Sequence, residues 1–196
     1  MNRISKFYKT LKSSDTVYSH TIIAALIAAF LLIIPLSAKL LTDEMKWSPF
    51  DFVAAWVLWF SAGFTYRLIA RKQGNTMYRA AVGVAVATAL FLVWANLAVG
   101  LIGNEDNPAN LMYIGVLAVG FIGAIISRLQ PQGMSLVLFA LAFAQMLVAV
   151  IALIARLDLS PESSVAEILG VNIFFAILWS GSALLFRNAI PKQLAV

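Results

Sequence analysis

Apolar residues form six long runs along the chain, and short polar segments separate them. The runs cover residues 20–41, 50–71, 79–103, 109–128, 133–156 and 164–187. Each run is long enough to cross about 30 Å of hydrocarbon as an α-helix, which rises about 1.5 Å per residue. Because the connections are short, we predict one membrane domain over residues 1–196, an all-α bundle of six transmembrane helices.

The composition supports a membrane protein and excludes several kinds of site. Hydrophobic residues make up 62% of the chain and charged residues 12%, whereas soluble domains carry about 25% charged residues. The surplus apolar surface must therefore face a lipid bilayer. Cysteine is absent, which excludes disulfides, thiolate catalysis and cysteine-ligated metals. We expect no cofactor and no metal site.

Charged residues divide between the two ends of the predicted spans. One side holds eleven of the fourteen basic residues, namely Arg3, Lys6, Lys9, Lys12, Arg67, Arg71, Lys72, Arg79, Arg128, Arg187 and Lys192. The other side holds eight of the nine acidic residues, namely Asp43, Glu44, Asp51, Glu105, Asp106, Asp158, Glu162 and Glu167. Short loops rich in Lys and Arg stay in the cytoplasm. We therefore predict that both termini are cytoplasmic.

The basic N-terminal segment, residues 1–15, has two interpretations. Its apolar residues recur at helical spacing between lysines, which is typical of an amphipathic helix on the inner leaflet. A disordered basic tail explains the same composition. In either case the basic residues lie where anionic lipid headgroups lie, so we expect no nucleic-acid partner.

Three loops on the acidic side share a helix-start signal. The segments "KWSPFD", "EDNPAN" and "DLSPES" place Ser48, Asn107 and Ser160 directly before a proline. A Ser or Asn side chain can accept from a free N–H of the first turn, and proline at the first helical position loses no hydrogen bond. Ser164 adds a further cap, because Glu167 stands three residues later, as in a capping box.

Three neutral amides lie inside the predicted spans: Asn96, Gln145 and Asn172. Each lies on a stripe of small residues. These stripes are Asn96, Gly100 and Gly103; Ala142, Gln145, Ala149 and Ala152; and Asn172, Ala176 and Ala183, with Gly120, Gly123 and Ser127 on the fourth span. Small residues let helices approach closely in lipid, and the amides can then bond across the interface. We favour this packing interpretation.

The alternative is an outward-facing pocket for a small polar or cationic ligand. Its candidate binding residues are Asn96, Gln145, Asn172, Glu105, Asp106, Trp94 and Tyr113. The amides would line the pocket, the two aromatic residues would border it, and the two acids would overhang it.

Known catalytic motifs are missing from the sequence. It contains no phosphate-binding loop, nucleotide fingerprint, zinc-hydrolase motif or nucleophile elbow. The stretches "GLIG" (100–103) and "GFIG" (120–123) both follow "LAV", and we interpret both as packing faces inside spans. We therefore expect no enzyme activity.

The stretch "WANLAVGLIGNEDNPANLMYIGVLAVG" (94–120) resembles an uncharacterised family of small bacterial polytopic membrane proteins, mainly over residues 91–154. The resemblance implies a multi-pass protein of the bacterial cytoplasmic (inner) membrane. It implies no function and no site residue.

Two functional hypotheses follow from the sequence. The first is a non-catalytic accessory or scaffold subunit that binds lipid or another membrane protein. The second is a small transporter or channel that uses the pocket described above.

Overall fold

The computed structural model describes residues 21–33, 36–37, 40, 47–155 and 164–190. All regular structure in these ranges is helical, which confirms the all-α prediction for this part of the chain. The helices are α1 (Thr21–Leu31), α2 (Pro49–Ala70), α3 (Thr76–Ala98), a 3-10 helix (Pro108–Leu111), α4 (Met112–Ile126), α5 (Pro131–Ile154) and α6 (Val165–Asn188).

Five helices in the described ranges are long and apolar enough to cross a membrane. They are α2, α3, α4 together with its preceding 3-10 helix, α5 and α6. The described part of the first predicted span contains the shorter apolar helix α1. Six spans therefore remain a prediction, because part of the run 20–41 lies outside the described residues. The predicted cap Ser160 and the segment 1–15 also lie outside them.

The third predicted span ends earlier than the apolar run. Helix α3 stops at Ala98, and residues 99–107 form a loop, whereas the apolar run predicts a helix to residue 103. Gly100 and Gly103 have φ of +69° and +72°, which belongs to the left-handed region and not to a right-handed helix. The prediction that Asn96, Gly100 and Gly103 share a helix face is therefore wrong.

The chain divides into two compact units, Met1–Thr65 and Tyr66–Val196, and the boundary falls inside helix α2. In the first unit, the Trp56 indole N–H donates to the carbonyl of Ala25 at 3.3 Å. Ala28 and Ala55 are buried there at 2% exposure each. Small residues thus support close packing of α1 and α2.

The second unit is a helical bundle with a continuous apolar core. Helix α6 packs against both α3 and α5, and α5 also packs against α4. The largest buried side chains of this unit are Tyr78, Leu92, Ile102, Tyr113, Leu138, Ile168, Phe175, Trp179 and Phe186. Helix α6 supplies four of these nine, so it is the central helix of the unit.

Two hydrogen bonds gather three chain segments at one end of the second unit. The Asn75 side-chain N–H, before α3, donates to the carbonyl of Ala189, after α6, at 3.2 Å. The Tyr78 hydroxyl donates to the carbonyl of Leu129, in the α4–α5 turn, at 2.9 Å. Exposed basic residues lie in or beside these segments, namely Arg71, Lys72, Arg79, Arg128 and Arg187. This is the end that the charge pattern predicts to be cytoplasmic.

Two helix starts carry reciprocal capping bonds. The Ser164 side chain accepts from Glu167 N–H at 3.2 Å, and Ser164 N–H donates to the Glu167 carboxylate at 3.0 Å. At the start of α2, Ser48 N–H donates to the Asp51 carboxylate at 2.7 Å, and Asp51 N–H donates to Ser48 Oγ at 3.3 Å. The second pair is a capping box with the shorter Asp.

Replacing Ser164 by alanine should lower the free energy of unfolding by about 1 kcal/mol, because the first turn of α6 loses its side-chain acceptor. Thermal or denaturant unfolding in a fixed lipid or detergent would measure the loss. Ser61→Ala is the matched control, since the Ser61 hydroxyl donates to Leu58 O within its own helix. If Ser164→Ala and Ser61→Ala lose the same free energy of unfolding, the capping role of Ser164 is contradicted.

Helices α4 and α5 approach closely through glycines on α4. A Cβ added at Gly123 would lie 2.6 Å from Val137 Cγ1, and one added at Gly120 would lie 3.1 Å from Leu141 Cδ1. Real carbon contacts of this kind are about 3.5–4.0 Å. The stripe predicted from sequence on the fourth span is therefore a packing face against α5.

Gly123→Ala should destabilise the protein by about 1–3 kcal/mol, the usual range for overpacking. The added methyl collides with Val137, which is stiff because it is β-branched. The double variant Gly123→Ala/Val137→Ala should recover most of the loss in the same unfolding assay. If the second substitution only adds to the damage, the contact with Val137 is not its cause.

Candidate functional site

Two of the three predicted amides meet in the core of the second unit. Gln145 of α5 donates from Nε2 to Asn172 Oδ1 of α6 at 2.9 Å. Both side chains are fully buried, at 0% exposure. Small residues on α5 favour the approach, because Ala142 and Ala149, about one turn before and after Gln145, are also buried.

Tyr113 brings a third helix to the same amide. Its hydroxyl lies 3.2 Å from Asn172 Oδ1 and 3.1 Å from Asn172 Nδ2, and Tyr113 is 1% exposed. Asn172 Nδ2 also donates to Ile168 O, one turn earlier in α6, at 2.8 Å. One asparagine therefore connects α4, α5 and α6, and we call Tyr113, Gln145 and Asn172 the core polar cluster.

Asn96 belongs to a different set of contacts. Its Nδ2 lies 3.4 Å from the backbone oxygen of Asn110, and the structure gives it no hydrogen bond to Gln145 or Asn172. Sequence periodicity placed the three amides on inward faces of their helices. It could not show that Asn96 lies beside the loop that comes after its own helix.

Asn110, which the sequence analysis missed, organises that loop. Its Oδ1 accepts from Leu101 N–H at 2.9 Å and from Ile102 N–H at 3.0 Å. Its Nδ2 donates to Ile102 O at 3.3 Å and to Asn104 O at 2.7 Å. The side chain is 4% exposed, so one buried amide supplies the partners of four backbone groups. The sequence feature that could have pointed to Asn110 is the second Asn of "NPAN", three residues after the cap Asn107.

The loop is packed and not extended. Leu101 and Ile102 are buried at 7% and 0% exposure, and both are held by Asn110. Asn107 accepts from Ala109 N–H at 3.0 Å and starts the 3-10 helix, with Pro108 as its first residue. The stretch "GLIGNEDNPAN" thus returns the chain from α3 to α4 with its backbone polar groups largely satisfied, as buried backbone requires.

The acidic residues of the predicted pocket lie at the exposed tip of this loop. Glu105 and Asp106 are exposed, and Asp106 N–H donates to Asn104 Oδ1 at 3.2 Å. Trp94 is half-buried in α3. The core polar cluster is closed to solvent, so the structure does not bring the two acids and the two core amides together at one open site.

Three buried polar atoms of the described residues have no hydrogen-bond partner. They are Gln145 Oε1, Asn96 Oδ1 and Trp179 Nε1. The core polar cluster is formed by two neutral amides and a phenol, which offer hydrogen bonds but no strong base or nucleophile. Within the described ranges, no group of three or more His, Cys, Asp or Glu side chains could hold a metal ion. The arrangement can hold helices together or bind a small neutral polar molecule.

Comparison with known proteins gives no family for this chain. No protein-family model, no curated protein and no solved structure matches it. Any function must therefore be inferred from the chain's own residues.

Proposed function

We propose that the protein is a non-catalytic integral membrane protein, an accessory or scaffold subunit that binds another membrane protein or lipid. It spans the membrane six times with both termini in the cytoplasm, and its setting is the bacterial inner membrane. The observation that carries the proposal is the core polar cluster, in which Gln145 bonds to Asn172 and Asn172 also bonds to Tyr113.

Helices in lipid associate in part through buried polar side chains that bond to one another across the interface. Buried amide contacts between membrane helices contribute about 0.6–2 kcal/mol each. Polar groups that bind a transported ligand need access from one side of the membrane, whereas Gln145 and Asn172 have none. Three of the residues that suggested a pocket, Tyr113, Gln145 and Asn172, are therefore better explained as hydrogen-bonded contacts between α4, α5 and α6.

The outer surface of the second unit supports binding to lipid or to another membrane helix. Large apolar side chains are exposed on all four of its long helices, for example Phe91 on α3, Phe121 on α4, Phe143 on α5 and Phe174 on α6. Exposed apolar area of this extent is unusual for a soluble monomer. The described loops carry no domain that could supply a separate activity.

The small transporter or channel is the second candidate. One observation favours it, which is that Asn96 Oδ1 and Gln145 Oε1 are buried acceptors without donors. In this alternative, opening of the bundle would expose both oxygens to a polar ligand entering past Glu105 and Asp106.

Native mass spectrometry on protein extracted gently from its own membrane separates the two candidates. The accessory role predicts a stoichiometric complex with a second protein. Folded Gln145→Leu should retain that complex, since Gln145 is buried away from any partner. A lone chain or homo-oligomer with a reproducible small-molecule mass, lost in Gln145→Leu, would instead support transport.

A further inference from the structure

The basic end of the second unit has no carboxylate beside it among the described residues. Its five exposed cations lie in or beside the segments that the two hydrogen bonds described above gather, namely Arg71, Lys72, Arg79, Arg128 and Arg187. The described acidic residues of this unit are Glu105 and Asp106, in the loop after α3, and Glu167, in the first turn of α6. The length of α6 from Glu167 to Arg187 is about 30 Å at about 1.5 Å per residue, well beyond the roughly 8–10 Å over which exposed charges interact in physiological salt. A counter-charge for this end must therefore come from outside the described residues.

The α4–α5 turn holds Arg128 in a position that suits glycine. Helix α4 ends in a Schellman motif, in which Leu129 N–H donates to Ala124 O at 3.2 Å and Arg128 N–H donates to Ile125 O at 3.1 Å. The motif places Arg128 in the left-handed region, with φ of +50°. This position is usually glycine, because a residue with a Cβ is disfavoured there. The geometry of the turn therefore does not explain the arginine.

The helix dipole does not require an arginine in this strained position either. A cation is favourable near a helix C-terminus, but Arg187 provides one from within the last turn of α6. The backbone at Arg128 is also held in place, since the carbonyl of the next residue, Leu129, accepts from the buried Tyr78 hydroxyl at 2.9 Å. The exposed Arg128 side chain therefore starts from a fixed backbone.

Exposed apolar side chains accompany these cations. Ile125 and Ile126, in the last turn of α4, are 62% and 76% exposed, and Leu184, about one turn before Arg187, is 50% exposed. A free anion in water would leave these side chains uncovered. A phospholipid presents a phosphate to the cations and acyl chains to the apolar side chains. Charge and apolar surface together thus fit a lipid better than a soluble anion.

We propose that the basic end of the second unit is a binding surface for the headgroups of anionic phospholipids, with Arg128 as the main phosphate ligand. The guanidinium group has a planar fork of N–H donors that matches two phosphate oxygens. The other four cations add electrostatic attraction to a negatively charged leaflet. This assignment rests on the proposed function, because it names the class of lipid that the accessory subunit binds.

Native mass spectrometry of the full-length protein, stripped of lipid in a neutral detergent and titrated with phosphatidylglycerol or phosphatidylethanolamine, tests the proposal. The wild type should retain phosphatidylglycerol several-fold more than phosphatidylethanolamine, since only the first lipid carries a net negative charge. Arg128→Gly should lose most of this preference. In lipid-free detergent the same variant should unfold at a temperature no lower than that of the wild type, because glycine suits the left-handed position. A loss of lipid binding is thereby separated from a loss of folding.

Asn104→Asp controls for net charge. It lowers the charge by one unit, as Arg128→Gly does, but in the exposed loop at the acidic end, and it keeps an acceptor for Asp106 N–H. Its preference for phosphatidylglycerol should equal that of the wild type. The proposal is overturned if the wild type retains the two lipids equally, if Arg128→Gly keeps the full preference, or if Asn104→Asp loses as much of it as Arg128→Gly. The accessory role would survive any of these results if a complex with a second protein is found, so the two proposals can fail separately.

Discussion

Replacing Asn110 by alanine should destabilise the protein by about 3 kcal/mol or more, because each buried polar group left unpaired costs about 1–3 kcal/mol. The N–H groups of Leu101 and Ile102 would lose their acceptor, and the carbonyls of Ile102 and Asn104 would lose a donor. Four backbone groups of one loop therefore depend on this single side chain. Reversible unfolding in lipid or detergent micelles would measure the change.

Two further variants test whether the loss of stability in Asn110→Ala arises from the side-chain amide of Asn110. Asn110→Asp keeps an acceptor for the two N–H groups but cannot donate to the carbonyls, so it should also be clearly destabilised. Asn104→Ala removes one exposed bond, to Asp106 N–H, and should cost no more than about 1 kcal/mol. An Asn110→Ala variant as stable as Asn104→Ala would contradict the assigned role of Asn110.

Gly100→Ala should cost about 3 kcal/mol through two effects that add. An L-residue in the left-handed region is disfavoured by about 1–2 kcal/mol, and Gly100 has a φ of +69°. The new Cβ would also collide with the backbone oxygen of Asn104 and would lie 2.7 Å from the backbone nitrogen of Glu105. Backbone cannot rotate away as a side chain can, so the turn itself must shift.

Gly115→Ala is the matched control for this change. Gly115 lies in α4, and a Cβ added there meets nothing within 4 Å. Since alanine is a better helix former than glycine by about 1 kcal/mol, that variant should be as stable as the wild type or slightly more stable. Equal stability of Gly100→Ala and Gly115→Ala would show that the loop does not require glycine at residue 100.

The contrast between "GLIG" and "GFIG" shows where sequence periodicity is sufficient and where it is not. Both come directly after "LAV" and both fit an apolar helix. "GFIG" lies inside α4 and packs on α5, whereas "GLIG" forms the turn after α3. The difference arises from residues further along the chain. Asn110, ten residues after Gly100, accepts from the N–H groups of Leu101 and Ile102, an interaction that local pattern does not reveal.

The parts of the fold that depend on local signals could be predicted from sequence. The bounds of α2, α4, α5 and α6 lie within three residues of the apolar runs. Ser48, Asn107 and Ser164 make the side-chain bonds expected of caps. The caps depend on residues that are close in sequence, and the helix bounds depend on where apolar residues give way to polar ones. Both can be inferred from a sequence.

The contents of the candidate site could be predicted only in part. Periodicity placed Gln145 and Asn172 on packing faces, but their contact depends on the rotation of α5 and α6 about their axes. That rotation is set by tertiary packing, to which Gly120 and Gly123 on α4 contribute. For the same reason the sequence predicts Tyr113 at the border of a pocket, while the structure shows its hydroxyl bonded to Asn172.

The described polar side chains connect separate segments of the second unit. Asn75 and Tyr78 connect segments at the basic end of the second unit, Asn110 holds the loop at the acidic end, and Asn172 connects three helices between them. Such contacts give a bundle a fixed arrangement, since apolar packing in lipid lacks the hydrophobic driving force that operates in water. The scaffold or accessory role that we propose would depend on this fixed arrangement.

The most direct test of the central claim, that the buried amides hold the helices together, is a double-mutant cycle between Gln145→Leu and Asn172→Leu. Unfolding free energies of the wild type, both single variants and the double variant would be measured in one lipid composition. We expect the double variant to lose less stability than the sum of the single losses, by about 0.6–2 kcal/mol, because each single variant leaves the other amide without its partner. Additivity within about 0.3–0.5 kcal/mol would contradict the claim and would make Gln145 and Asn172 candidates for ligand binding again.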